Sequence, residues 1–182
     1  MFNIMLDRLP DSFEGYLIRT DFRIGIQISQ ALADVNLHDD EKIRVAAGLL
    51  FGEGLPPFEK AVAGMQWFLA AGAAVGNTDA AEAECFNFEQ DSAEIYTAFR
   101  ARYGIDLSRE RLHWFEFAAM LRDLGDCALT DIVKIRLADI SKMTNAERDG
   151  YIKLKQKYAI RREMSDDERD ALEEFEEQLG KC

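Results

Sequence analysis

From residue 21 onward, apolar residues recur at helical spacing with polar residues between them. Ile24, Ile28, Ala31, Leu32 and Val35 fall on one face of a helix opened by Asp21. Ile43, Ala46, Ala47 and Leu50 repeat the pattern. Asp39, Asp40 and Glu41 stand at the positive end of that helix, and Gly52 stops it. Pro56-Pro57 starts a third helix with the stripe Phe58, Ala61, Val62, Met65 and Leu69. Gly72 and Gly76 end it and open a loop that runs to about Gln90, with an extra helical turn placed at residues 79–85.

The segment 91–124 carries two helices. Asp91 and Glu94 are spaced as a capping box, and Ile95, Ala98, Phe99 and Tyr103 share a face. Gly104 stands at the left-handed C-cap position, with Ile105 packing back. Ser108 is predicted to cap the next helix, with Leu107 and Leu112 as its hydrophobic staple. That helix is apolar on two sides: Leu112, Phe115 and Ala119 on one, Trp114, Phe117, Ala118, Leu121 and Leu124 on the other. It belongs in the middle of a bundle. Trp114, Phe117, Leu121, Phe99 and Ile95 are expected to be buried together.

Leu129, Ile132, Val133, Leu137 and Ile140 give a further stripe. Thr144 with Glu147 is a second capping box, opening a helix with Tyr151, Leu154 and Tyr158. Ser165 with Glu168 is a third, opening a last helix to Gly180 with the stripe Leu172, Phe175 and Leu179. Strands are expected only within residues 1–20, where Phe13 and Tyr16-Leu17-Ile18 flank a turn at Gly15. The expected fold is therefore all-α: a compact bundle of about seven or eight helices, with a short N-terminal β-hairpin and a charged C-terminal helical arm. Residues 1–20 form the hairpin docked on the bundle, 21–141 the helical core, and 142–182 the charged C-terminal helices.

Charge sharpens this division. The net charge is −12, split as −8 over residues 1–90, +3 over 91–162 and −7 over 163–182. A field of that sign disfavours nucleic acid, and the bases of the middle segment are interspersed with acids. Nine acids lie between Glu163 and Glu177 against the single base Arg169. Glu173–Glu177 and Asp170–Glu174 are like-charge pairs one turn apart, so the last helix needs outside support. Lys153, Lys155, Lys157, Arg161 and Arg162 could supply it by folding the arm back; a basic partner surface could supply it instead.

Catalytic and metal chemistry find no foothold. His38 and His113 lie outside any recognised catalytic motif, and each reads as structural. No His or Cys pair has one-turn spacing. Glu82, Glu84, Glu89 and Asp91 lack the spacing of a calcium loop. Cys85, Cys127 and Cys182 fit a reducing compartment. There is no signal-peptide pattern and no apolar run of about eighteen residues. No catalytic residue, metal, cofactor, nucleic acid or membrane is therefore expected. The aromatics Trp67-Phe68, Phe86, Phe88 and Trp114-Phe115 read chiefly as core. The alternative is an exposed groove for an apolar partner helix, with Trp67, Phe68, Phe86, Phe88, Leu172, Phe175 and Leu179 as the candidate binding residues.

The run from Phe86 to Leu124 resembles the central signature of the bacteriophage gene-product-fifteen family, found in tailed phages and prophages of Gram-positive bacteria. The matching pieces are Phe86-Asn87-Phe88 before Asp91, Ile95-Tyr96, Phe99, Tyr103-Gly104-Ile105-Asp106-Leu107, and Leu112-His113-Trp114 followed by Phe117 and Leu121. Others are Arg8-Leu9-Pro10, Thr20-Asp21-Phe22-Arg23, Trp67-Phe68, Ile135-Arg136 and Lys157-Tyr158. Asn87 stands in place of an aspartate and Phe115 in place of a tryptophan. The resemblance covers nearly the whole chain and brings no catalytic residues. What it implies is a tail assembly chaperone in the host bacterial cytoplasm. Such a helper binds the tape-measure protein and other phage tail proteins, and supports polymerisation of the tail tube. The alternative it leaves is a structural virion component of the tail or head–tail connector.

Overall fold

A computed structural model describes residues 3–73, 85–161, 164–165 and 168–170. Among these residues the chain forms a two-stranded antiparallel sheet and seven α-helices, with a further helical stretch at 168–170. Strands β1 (Ser12–Phe13) and β2 (Tyr16–Leu17) pair Ser12 with Leu17 and Phe13 with Tyr16. The turn between them holds Glu14 and Gly15 at φ 47° and 87°. Positive φ at both central residues matches the twist that such a short hairpin needs.

The helices are α1 (Phe22–Ala33), α2 (Asp39–Phe51), α3 (Phe58–Leu69), α4 (Ser92–Tyr103), α5 (Trp114–Arg122), α6 (Ala128–Leu137) and α7 (Asn145–Tyr158). A 3-10 turn, Ile140–Lys142, separates the last two. Helix α1 packs mainly on α2 and also on α5; α2 meets α3, α4 meets both α5 and α6, and α6 carries α7. The all-α bundle with its small hairpin is the architecture the periodicity predicts.

Several start and stop signals act as read. Asp21 accepts the Arg23 N–H at the head of α1. Gly104 takes φ 71° and ψ 7° and closes α4 through its N–H on the Arg100 carbonyl. Glu147 reaches back to the Thr144 N–H at 3.1 Å. Ser165 and Glu168 exchange side-chain-to-backbone hydrogen bonds, each 3.1 Å long, so the third capping box is formed.

Two caps differ from the reading. Asp91 precedes α4 but does not cap it: the carboxylate turns away to the Asn87 N–H and the Arg136 guanidinium. Ser108 does not open a helix either, because its N–H and hydroxyl both bind Asp106. Helix α5 starts later, at Trp114, and His113 caps it. The His113 Nδ1 accepts the Phe115 N–H at 3.0 Å, while Glu116 accepts the His113 N–H at 3.1 Å. The expected Leu107–Leu112 staple goes with the lost cap. Leu107 is buried in the turn that precedes α5 instead.

The core gathers around α5. Phe117 stacks between Phe22 and Phe99, with ring centroids 4.7 and 5.0 Å away. Trp114, Phe117, Phe99 and Ile95 are buried, whereas Leu121 is half-buried at the core's edge. Phe58 and Leu32 fall on helix stripes yet lie exposed, 65% and 36% respectively. In α1 the buried row is Phe22, Gly25 and Ile28. Gly25 belongs to it because the Trp114 ring lies against the glycine backbone; a Cβ there would sit 2.1 Å from the ring.

Candidate functional site: an apolar groove held by two clasps

An open groove of about 320 Å³ runs between α1, the N-terminal half of α4 and the turn at Leu107–Ser108. Its apolar lining is Phe22, Ile26, Phe88, Ile95, Leu107 and Phe117. Phe22 and Ile26 sit one turn apart on α1, so both face the same way. Phe117 and Phe22 are almost wholly buried and form the floor. Arg23, Ser92, Tyr96 and Ser108 form a polar rim.

The rim is organised by two carboxylates. Arg23 pairs with Asp21 at 3.1 Å and donates through its other nitrogen to the carbonyls of Leu107 and Glu110. It thereby ties the start of α1 to the turn across the groove. Asp106 accepts from Ser108 and from the Tyr96 hydroxyl, with Arg100 at 3.5 Å and Arg109 at 3.7 Å. The Ser108 hydrogen bonds, assisted by Tyr96 and Arg100, hold the Asp106 carboxyl below its usual value. Arg109 is 84% exposed.

One clasp closes the groove end of the bundle. The Phe22 N–H donates to the Leu112 carbonyl at 2.9 Å, and the Trp114 N–H donates to the Thr20 carbonyl at 2.7 Å. The His113 Nδ1 is an acceptor here, so Nε2 carries the proton and donates to the Pro10 carbonyl at 2.9 Å. The second clasp is buried. Arg136 holds Asp91 through both guanidinium arms, and donates to the Cys85 carbonyl at 3.1 Å and the Tyr158 carbonyl at 2.6 Å. It fixes Phe86–Phe88 and the end of α7 against the start of α4. Burial pushes the Asp91 carboxyl up, but the hydrogen bonds from Arg136 and Asn87 and the Arg136 charge outweigh it and leave the group below its usual value.

The candidate binding residues separate into four groups. Phe88 lines the groove. Trp67 and Phe86 are half-buried and pack on the core, Trp67 against Phe13 and Phe115, Phe86 edge-on to Phe88. Phe68 is fully buried against Trp114 and Phe115, so in this conformation it offers no surface to a partner. Leu172, Phe175 and Leu179 lie outside the described residues. Local reading missed Phe22, Ile26, Ile95, Leu107 and Phe117 as a set. The available signal was the second apolar row on α1, Phe22 and Ile26, beside the stripe assigned to the core.

The pieces quoted for the family resemblance meet in these clasps. Thr20-Asp21-Phe22-Arg23 joins Leu112-His113-Trp114, and Ile135-Arg136 joins Lys157-Tyr158 and Asp91. A family model described as "Bacteriophage Gp15 protein" matches residues 5–160. The chain belongs to the bacteriophage Gp15 family. Membership makes this Gp15 protein a phage structural or assembly protein, whose partners are sought among other phage proteins. No curated protein and no solved structure matches it significantly. The matched range spans both clasps and the whole groove lining and stops short of residues 161–182. Among the described residues of this Gp15 chain, no three His, Cys, Asp or Glu side chains gather as metal ligands. Nor is any helix there long and apolar enough to cross a membrane.

Proposed function

We propose that this Gp15 protein is a tail assembly chaperone that acts by binding, without catalysis, in the host cytoplasm. It holds apolar helical segments of the tape-measure protein in the groove, keeps them soluble, and gives them up as tail subunits polymerise around them. The observation that carries this reading is the groove itself: Ile26 and Phe88 stand half-buried over a buried apolar floor of Phe22, Ile95, Leu107 and Phe117, in a chain with a net charge of −12. An amphipathic helix recognises such a surface by inserting residues one turn apart. The acidic exterior keeps the loaded protein from aggregating.

The test is co-expression with the tape-measure protein of the same phage. The two should co-purify. Ile26→Glu, which puts a charge into the half-buried wall, should abolish co-purification while leaving the circular dichroism spectrum unchanged. Absence of any complex with the wild-type chain overturns the proposal. So does mass-spectrometric detection of the chain at stoichiometric level in purified particles, which supports a structural virion component instead.

A further inference from the structure

We infer that the basic end of α7 is a second contact for the groove's client, and that it takes acidic residues flanking the apolar helical segment seated in the groove. The inference rests on the proposed binding role and narrows the class of segment that is bound.

The first observation is a row of unmatched cations. Residues 150–161 hold Lys153, Lys155, Lys157 and Arg161 and no acid. Lys155 is committed: its ammonium donates to the Arg136 carbonyl at 2.7 Å and fastens α7 to α6. Lys153, Lys157 and Arg161 are exposed, and none of them pairs with a carboxylate among the described residues. Other exposed bases do pair, Arg44 with Asp40, Lys60 with Glu14 and Arg102 with Asp123. Lys153 and Lys157 stand one turn apart on one face of α7, where like charges repel. Arg161 follows four positions on, just past the end of the helix. A carboxylate from outside relieves that repulsion.

The second observation is the apolar surface beside the row. Leu154, 36% exposed, lies three positions before Lys157 and so shares its side of α7. Leu137, 58% exposed, follows Arg136 at the end of α6, where Lys155 is fastened. Leucines beside cations suit an amphipathic segment whose acids reach the cations while its apolar residues cover the leucines.

The third is continuity with the groove. The Arg161 N–H donates to the Gln90 side chain at 3.0 Å, and the Gln90 amide donates back to the Arg161 carbonyl at 2.9 Å. Gln90 lies between Phe88 and Ser92, both of which line the groove. The cationic row therefore ends beside the groove's own edge. The groove's rim has its charges matched already. Arg23 is taken up by Asp21 and by the carbonyls of Leu107 and Glu110, and Asp106 by Arg100 and Arg109. The groove thus selects apolar shape, and selection by charge falls to α7.

The test uses the full chain with the tape-measure protein of the same phage. A carbodiimide, which joins amines directly to carboxylates, is applied to the complex and the products are read by mass spectrometry. Lys153 and Lys157 should be joined to Asp or Glu of the tape-measure protein. Joining only to carboxylates of this chain, whether its own or a second copy's, overturns the inference, and so does no joining at all. A chain carrying Lys153→Gln, Lys157→Gln and Arg161→Gln should bind the tape-measure protein about tenfold more weakly at low salt, since each exposed pair is worth little by itself. At about 1 M salt, where charges are screened within roughly 3 Å, the two chains should bind alike. Equal affinity at low salt overturns the inference. If Ile26→Glu still abolishes that binding, the groove's role stands and only the α7 contact falls. No complex with the wild-type chain overturns both.

Discussion

Arg136 Nη1 lies 2.6 Å from Asp91 Oδ2 and Nη2 lies 2.8 Å from Oδ1, with the two side chains only 10% and 5% exposed. A fork-to-fork pair of this kind is strong because both ions are desolvated and every arm is used. Removing one partner strands the other charge in the core. Arg136→Met should therefore cost about 3–5 kcal/mol in a denaturant titration. Asp91→Asn with Arg136→Met should cost clearly less than the two single changes added together. Additive losses would show that the two residues do not act as a unit.

The same pair gives the fold an acid limb. Asp91 is depressed below its ordinary value of 3.8 in the folded chain, so the folded state binds fewer protons than the unfolded state in that window. Its contribution is complete above 3.8 and is lost as pH falls below 3.8 through the lower folded value. Stability measured from about pH 6 down to about pH 2 should fall more steeply for wild type than for Asp91→Asn. Parallel profiles would remove Asp91 from the acid transition.

Gly25 reverses a familiar sign. In an exposed helix Gly→Ala stabilises by roughly 1 kcal/mol. Here the new methyl would meet the Trp114 ring at 2.1 Å, with the ring backed by Phe68 and Phe117. Gly25→Ala should destabilise by about 1–3 kcal/mol. A rise in the thermal midpoint would show that Trp114 is free to move.

His113 combines a helix cap with a tie to Pro10. His113→Ala should cost roughly 1–2 kcal/mol. His113→Asn keeps a cap acceptor but is too short to reach the Pro10 carbonyl, so it should fall between Ala and wild type. Equal midpoints for Asn and Ala would assign the whole effect to the tie.

How much of this could be read from the chain depended on range. The Thr144–Glu147 and Ser165–Glu168 boxes, the Gly104 stop and the turn at Gly15 are set by residues within four positions of each other, and all formed as read. Asp91 met the same local rule and escaped it, because Arg136, 45 residues away, offers a desolvated carboxylate more than a helix N-terminus does. Ser108 escaped because Asp106 already engaged it. Phe68 read chiefly as core and is buried there; it stood among the alternative binding residues because local spacing could not reveal Trp114 and Phe115 across the core. The groove was legible as residue types but not as a place, since its walls come from α1, α4 and the turn before α5.

The hydrogen bond from His113 to Pro10 spans 103 residues of chain, and the bridge from Trp114 to Thr20 beside it is nearly as long-range. On a ribosome adding about 5–20 residues per second, the N-terminal hairpin and α1 wait roughly 5–20 s for that bridge to become available. During that interval Phe22 and Ile26 have no α5 behind them and face whatever is nearby. A nascent chain of this protein is therefore itself a client for protection, and its yield in cells should depend on growth temperature and on the host's folding helpers.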